Sequence, residues 1–244
     1  MSARDAARRA AIGALLAFAW ALLAGGPAAR AQAAAAPAAE PISAAEQWLF
    51  VHAHLAATPG PRTLAYAWVA QGAADPPATD RATLALQPRA DGTCCALHGE
   101  YLSGPMAVHL PDLDAASANP ILLYFLEGEV RLLERTAHGQ SAHFRRQIRL
   151  SLASSATVAD TTVRWNGKAV TAHVVHVAPF LDDPYRARFE HEATTVYEFV
   201  LSDDVPGGVV AMSATLPGAG AGDPPLATRR LTLEDPTPAT PAHP

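Results

Sequence analysis

Alternation of large and small side chains at every second residue is the feature that most constrains the fold of this chain. In the segment Leu64-Ala65-Tyr66-Ala67-Trp68, bulky residues alternate with alanines, which is typical of a β-strand with one bulky face. Residues 195–202 show the same alternation through Thr195, Tyr197, Phe199 and Leu201. Asn166-Gly167 and Asp91-Gly92 are dipeptides typical of two-residue hairpin turns. The sequence therefore predicts an antiparallel sheet.

Further strands are expected over residues 82–87, 93–102, 162–165, 169–177, 209–216 and 228–234. A capping box formed by Ser43 and Glu46 predicts an N-terminal helix that runs to about Ala57. Asn119-Pro120 is a typical start for a second helix over residues 121–135, and a third helix begins near Ser141. The third helix has a narrow apolar stripe, so residues 119–153 are expected to form a helical hairpin; the stripe comprises Phe144, Ile148 and Leu152.

The order of these elements is helix, strands, helical hairpin and strands. Because helices and strands do not alternate regularly, a parallel α/β sheet is not favoured. We predict one α+β domain over residues 43–234, in which a strongly curved antiparallel sheet is covered by the N-terminal helix and the hairpin.

The sequence Tyr197-Glu198-Phe199-Val200-Leu201-Ser202, followed by the turn Val205-Pro206-Gly207-Gly208, resembles a hairpin common among relatives of the periplasmic lipoprotein carriers. The element order over residues 43–234 is also similar to the layout of that family. The resemblance implies an open half-barrel covered by helices, and a role in carrying an apolar or amphipathic ligand. It identifies no individual ligand-contacting residue.

The N-terminus has the layout of a secretory signal peptide. Arginines at Arg4, Arg8 and Arg9 precede an uncharged run over residues 10–24, and Ala29-Arg30-Ala31 is a small-x-small cleavage site. We expect cleavage after Ala31 and export to the periplasm; an uncleaved membrane anchor is the alternative. Residues 32–42 are interpreted as an Ala/Pro-rich tether, and residues 235–244 as a disordered Pro-rich tail.

The only two cysteines, Cys94 and Cys95, are adjacent, so no ordinary framework of disulfides can support the fold. Neighbouring side chains of a regular strand point to opposite faces. The favoured interpretation is therefore that both are small buried hydrophobic residues. A vicinal disulfide, an intermolecular bridge and a soft-metal site stay open as alternatives.

The net charge of −5 provides no electrostatic attraction for nucleic acid over the whole chain, so no nucleic-acid partner is predicted. The helical hairpin is locally basic, and the face formed by Arg145, Arg146 and Arg149 is a candidate contact for an anionic membrane surface or an acidic protein partner. No cofactor is expected. His52 and His54 would diverge on a helix, so no metal site is predicted there.

No nucleophile elbow, phosphate loop or zinc-protease motif occurs in the sequence. We therefore favour a non-catalytic binding or carrier protein for an apolar or amphipathic envelope ligand. The alternatives are an interaction subunit of an envelope assembly and a hydrolase with a dispersed active site. The candidate ligand-binding residues are aromatic side chains of the bulky strand faces, namely Tyr66, Trp68, Tyr101, Trp165, Tyr197 and Phe199.

Overall fold

The computed structural model describes residues 41–234, except residues 57, 59, 60, 74, 76, 92–94 and 221. The predicted signal peptide, nearly all of the tether and the Pro-rich tail lie outside the described residues and stay predictions. In the part of the chain that the structure describes, none of the helices combines the length and the apolar character needed to cross a bilayer.

The described chain forms eight strands, three α-helices and three short 3₁₀ turns, which are Gly104–Met106, Arg186–Arg188 and Glu190–Thr194. The helices are α1 (Ala44–Glu46), which continues as a π-helical turn over Gln47–Val51, α2 (Ile121–Thr136) and α3 (Ser141–Ser154). The strands are β1 (Arg62–Gln71), β2 (Ala78–Gln87), β3 (Ala96–Tyr101), β4 (Thr157–Trp165), β5 (Lys168–Val177), β6 (Val196–Leu201), β7 (Val209–Leu216) and β8 (Ala227–Leu233).

All strands belong to one antiparallel sheet in the order β3-β2-β1-β8-β7-β6-β5-β4. The sheet is curved and does not close, because β3 and β4 are its two edges and do not pair with each other. The predicted α+β class and the open half-barrel are therefore confirmed.

The two edges differ. Leu97 and Tyr101 of β3 form isolated bridges with Leu113 and Val108, and the Tyr124 hydroxyl donates to the Gly99 carbonyl oxygen at 3.1 Å. A Cβ at Gly99 would lie only 2.5 Å from the Tyr124 hydroxyl, so this approach requires glycine. The outer side of β4 has no strand partner within the described ranges.

The Asn166-Gly167 turn is confirmed. Both residues have positive φ angles, 49° and 75°, as a type I′ turn requires, and Trp165 pairs directly with Lys168. The two-residue turn at Asp91-Gly92 stays a prediction, because Gly92 lies outside the described residues. The pairing of β2 with β3 is centred on these two positions, since Gln87 pairs with Ala96. The Ala116 amide donates to the Cys95 carbonyl oxygen at 3.0 Å.

The N-terminal helix is shorter than predicted. The capping box of Ser43 and Glu46 is present, but the helical segment ends at Val51 and His52 is extended. Leaving the helix allows His54 and Leu55 to become buried, and the Leu55 amide donates to the Ser117 carbonyl oxygen. Tertiary burial thus ends the helix well before the Thr58-Pro59 stop.

The helical hairpin packs on the bulky face of the sheet. The Phe125 ring of α2 meets the rings of Tyr197 and Phe199 edge to face, with centroids 6.4 and 6.0 Å apart. The predicted inward stripe of α3 is confirmed, since all three of its members are buried, namely Phe144, Ile148 and Leu152. The start of α2 is also close to prediction, because the Asn119 side chain accepts the Ile121 amide hydrogen at 3.0 Å.

A buried charged cluster links α2 to the sheet. Arg229 of β8 is only 2% exposed and makes three hydrogen bonds of 2.9–3.1 Å to the Glu129 carboxylate of α2. Its remaining guanidinium nitrogen donates to Asp75 at 2.8 Å, and Glu192 lies 3.9 Å away. The guanidinium charge therefore holds three carboxylates together beneath the helix.

Cys95 is buried and disulfide-bonded. The interpretation of this residue as a free, small hydrophobic side chain is therefore wrong. Cys95 precedes the start of β3 at Ala96, so the rule that neighbouring side chains of a regular strand point to opposite faces does not apply to it. Cys94 lies outside the described residues.

Candidate functional site

A groove of about 470 Å³ lies between α2, α3 and the N-terminal helical segment. This volume is within the range of about 300–1,000 Å³ that small-molecule sites occupy. Its lining is mostly aliphatic and comprises Glu46, Phe50, Leu110, Leu123, Leu126, Glu127, Val130, Arg145, Ile148, Arg149 and Leu152.

The floor of the groove is formed by two pairs of side chains, one pair from α2 and one from α3. Leu126 and Val130 are one turn apart on α2, as are Ile148 and Leu152 on α3, so each pair lies on one helix face. All four side chains are buried. The hairpin thus presents an apolar floor where its two helices meet.

The walls of the groove are apolar side chains that stay accessible to solvent. Phe50, from the π-helical turn, and Leu123, from the outer side of α2, are 37% and 50% exposed. The Ser43 hydroxyl donates to the Leu152 carbonyl oxygen at 2.9 Å and fixes the N-terminal segment against α3. An apolar ligand would cover Phe50 and Leu123 and remove their surface from water, which is favourable.

The rim of the groove carries an ion pair that is already satisfied. Arg145 donates to the Glu127 carboxylate from two nitrogens at 2.7 and 2.9 Å, and Arg131 donates to the same carboxylate at 3.3 Å. Hydrogen bonding from Arg145 holds the pKa of Glu127 below its ordinary value. Arg145 is therefore committed to a protein partner.

Arg149 lies one turn beyond Arg145 on the same rim. Among the described residues its side chain has no hydrogen bond and no carboxylate within ion-pair distance. Its guanidinium is always charged and presents several donors that match carboxylate or phosphate oxygens. The groove thus joins an apolar interior to a guanidinium at its edge that has no ion-pair partner in the described part of the chain.

The predicted basic face is only partly a free surface. Arg145, Arg146 and Arg149 are all exposed residues of α3. Arg145 is paired with Glu127, and Arg145 and Arg149 line the groove, whereas Arg146 does not. Their role as a contact face stays a prediction.

The six aromatic residues proposed to bind ligand lie elsewhere. Five of them are buried in the core, and Trp165 is half-buried against it; the buried five are Tyr66, Trp68, Tyr101, Tyr197 and Phe199. None of the six lines the groove. Trp68 borders a smaller pocket of about 260 Å³ next to Arg229, and the role of these residues in binding stays a prediction.

The histidines are distributed differently from the helix-based expectation. His52 and His54 lie beyond the end of the helical segment, and their ring centroids are 5.2 Å apart rather than on opposite helix sides. His52 instead contacts Asp203 at 2.6 Å. Within the described ranges, no group of three or more His, Cys, Asp or Glu side chains has an arrangement suited to a metal ion.

Sequence reasoning missed the apolar walls of the groove. Leu123 does not share the inward face of α2, so it reads as a single exposed leucine, which is common on protein surfaces. Phe50 adjoins Trp48 and Leu49 in a segment whose length was overestimated. The available signal was a pair of large apolar residues on outward positions of two elements that were both expected to cover the sheet.

The chain matches no protein-family model, and no curated protein sequence matches it. Among solved structures, the Mycobacterium tuberculosis lipoprotein LppX is 14% identical, with 79% of this chain and 95% of LppX covered and a TM-score of 0.32. LprF from Mycobacterium bovis is also 14% identical, with 78% and 91% covered and a TM-score of 0.32. LppX is a lipoprotein, and similarity at this level carries no argument about the site or its ligand.

Proposed function

We propose that this chain is an exported, non-catalytic protein that binds and carries an amphipathic ligand of the cell envelope. The ligand places its apolar part in the groove and an anionic group against Arg149. The observation that carries this proposal is the combination of an aliphatic groove with an unpaired guanidinium on its rim. A purely apolar ligand would use the groove but leave that charge without a partner.

The energetics favour this mode of binding. Burial of apolar surface contributes roughly 25 cal/mol per Å², and the exposed walls at Phe50 and Leu123 provide such surface at the mouth. The buried floor is already shaped by the helix pair, so little ordering entropy is lost on binding. A hydrogen bond from Arg149 to an anionic group adds about 1–2 kcal/mol at a partly exposed site.

The first test compares lauric acid with dodecanol. Both have a twelve-carbon chain, but lauric acid ends in an anionic carboxylate and dodecanol in a neutral hydroxyl. Binding to the full chain is measured by displacement of a fluorescent fatty acid. We expect lauric acid to bind more tightly, by a factor of roughly 5–30, which corresponds to about 1–2 kcal/mol. Equal affinity of the acid and the alcohol would remove the proposed role of Arg149.

Two matched pairs of variants locate the site. Leu123→Glu introduces a charge into the groove, whereas Leu150→Glu introduces it on α3 at a residue that is 42% exposed and does not line the groove. We expect Leu123→Glu to weaken binding of either probe by roughly tenfold or more, because a charge must be desolvated, and Leu150→Glu to leave it unchanged. Arg149→Gln should weaken only lauric acid, and Arg146→Gln neither. Equal effects within either pair would place binding elsewhere.

Export and membrane contact are separate parts of the proposal. The signal-peptide layout over residues 1–31 supports cleavage after Ala31, and mass spectrometry of the mature N-terminus tests it; an intact Met1 in the membrane fraction would contradict export.

The basic face is tested by replacing Arg145, Arg146 and Arg149 together with Gln. Salt-sensitive binding to anionic vesicles should weaken while stability stays nearly unchanged. Normal vesicle binding at low salt would exclude this contact.

A further inference from the structure

A second pocket lies where α2 turns into α3. Its volume is about 370 Å³, and it shares no lining residue with the groove. Its polar and aromatic lining includes His138, Gln140, His143, Tyr185, Arg188 and Phe189. The proposed carrier function does not use this pocket.

One wall is a histidine held by a buried carboxylate. The Asp183 side chain is fully buried, and one of its oxygens lies 2.7 Å from Nε2 of His143. Its other oxygen accepts the Tyr185 amide hydrogen at 2.7 Å. Nδ1 of His143 has no hydrogen-bond partner in the described part of the chain and is not buried. The imidazole is therefore fixed in orientation with one nitrogen available to a ligand.

Arg188 contributes a positive charge to the lining of the pocket. The Arg188 guanidinium lies over the Tyr185 ring, 5.6 Å from its centroid. Among the described residues Arg188 has no carboxylate within ion-pair distance, in contrast to Arg145 and Arg229. Asp183 is directed at His143, so among the described residues it does not pair with Arg188.

We propose that this pocket binds a small organic anion, in which a carboxylate or phosphate group is attached to a compact apolar body. Arg188 binds the anionic oxygens through its fork of donors. Because Nε2 of His143 already donates to Asp183, Nδ1 donates to the same anionic group when the ring carries a proton on both nitrogens. The rings of Tyr185 and Phe189 contact the apolar body. The first turn of α3, which has no side-chain cap, adds a favourable field for the anion.

The test uses three probes of similar size, namely benzoate, phenyl phosphate and benzamide. Binding to the full chain is measured by NMR titration. Both anions are expected to bind saturably and to weaken with added salt, and benzamide is expected to bind more weakly than either. The tighter of the two anions then assigns the pocket to carboxylate or to phosphoryl ligands. The proposal is overturned if neither anion binds saturably, or if benzamide binds as tightly as the anions.

A matched pair of arginine variants locates this binding. Arg188→Gln should weaken the anions by roughly tenfold or more, whereas Arg186→Gln should change their affinity less than twofold, because Arg186 is exposed on the same turn but does not line the pocket. Equal losses in the two variants would indicate a general charge effect and overturn the assignment.

His143→Gln keeps an amide near the position of Nε2 but has no polar group at the position of Nδ1, and it should also weaken the anions. Since His143 also binds Asp183, the thermal unfolding of this variant is measured in parallel; Arg188→Gln provides the decisive result if His143→Gln is unstable. Arg149→Gln should leave binding here unchanged, so failure of this proposal is distinguishable from failure of the groove proposal. Loss of anion binding in Arg149→Gln would assign the anions to the groove instead.

Discussion

Protonation of His54 is expected to destabilise the fold as the pH falls. His54 is 4% exposed, and its Nδ1 accepts the Asn119 amide hydrogen at 3.1 Å. The accepting nitrogen must be unprotonated, so the proton of the neutral ring is on Nε2. Burial, followed by repulsion from His52, lowers the pKa of His54 from 6.5 to about 4.

The sign and size of the effect follow from proton linkage. Between pH 6.5 and about 4 the unfolded chain binds a proton at His54 and the folded chain does not, so the free energy of unfolding decreases as the pH falls. Each pKa unit corresponds to 1.36 kcal/mol. The expected loss from this residue is therefore about 2 kcal/mol by pH 5 and about 3 kcal/mol by pH 4.

The experiment compares the natural chain with His54→Asn, whose amide oxygen can still accept a hydrogen bond but does not titrate. Urea unfolding followed by tryptophan fluorescence gives the free energy of unfolding at pH 7, 6, 5 and 4. The variant is expected to be less stable at pH 7, because packing is lost. The difference between the two chains should then shrink by about 3 kcal/mol as the pH falls to 4.

Taking the difference between the chains removes the other titrating groups, because both chains contain the same histidine–carboxylate contacts at the surface. NMR of the His54 ring provides an independent check of protonation near pH 4. A difference in stability that does not change with pH would refute the argument that His54 is neutral because it is buried.

Three other perturbations test the packing beneath the hairpin. Arg229→Met should cost about 3–5 kcal/mol, because it leaves Glu129 buried without its cation; adding Glu129→Gln should restore part of this loss in chemical unfolding, and no recovery would contradict the pairing. Burial raises the pKa of Glu192, so the natural chain should gain stability relative to Glu192→Gln as the pH falls through that raised pKa toward 4.5; parallel pH profiles would contradict this. Phe144→Ala should cost about 3–5 kcal/mol in thermal or urea unfolding, since the ring is buried with the Phe180 and Phe189 rings 5.7 and 5.3 Å away; a loss below about 1 kcal/mol would show that the site collapses around the cavity.

The regular elements could be predicted because their signals are local. The alternation over Leu64–Trp68 and the Asn166-Gly167 turn each depend on residues close in sequence, and the structure keeps both. The N-terminal segment was predicted less well, because its exit at His52 depends on Asn119, which is distant in sequence. Hydrogen bonding over such a separation has no local periodic signal.

The groove could not be predicted for the same reason. Phe50 and Leu123 belong to elements that are far apart in the chain, and only packing brings them to one site. The difference between Arg145 and Arg149 is also a tertiary effect, since Glu127 of α2 pairs with one and leaves the other available. The sequence identifies α3 as a basic helix. Which of its arginines is available to a ligand depends on the position of Glu127 in α2.

The unequal edges of the sheet limit how copies of this chain can associate by strand addition. An unpaired strand edge is a template for another strand, but the outward groups of β3 already bond to Leu113, Val108 and Tyr124. Only β4 is available within the described chain, and two antiparallel copies of β4 would form a closed, two-fold pair. The outer edges of such a pair are the two β3 strands, whose outward groups are already bonded. Growth by strand addition would therefore stop at the dimer and could not continue into a fibre.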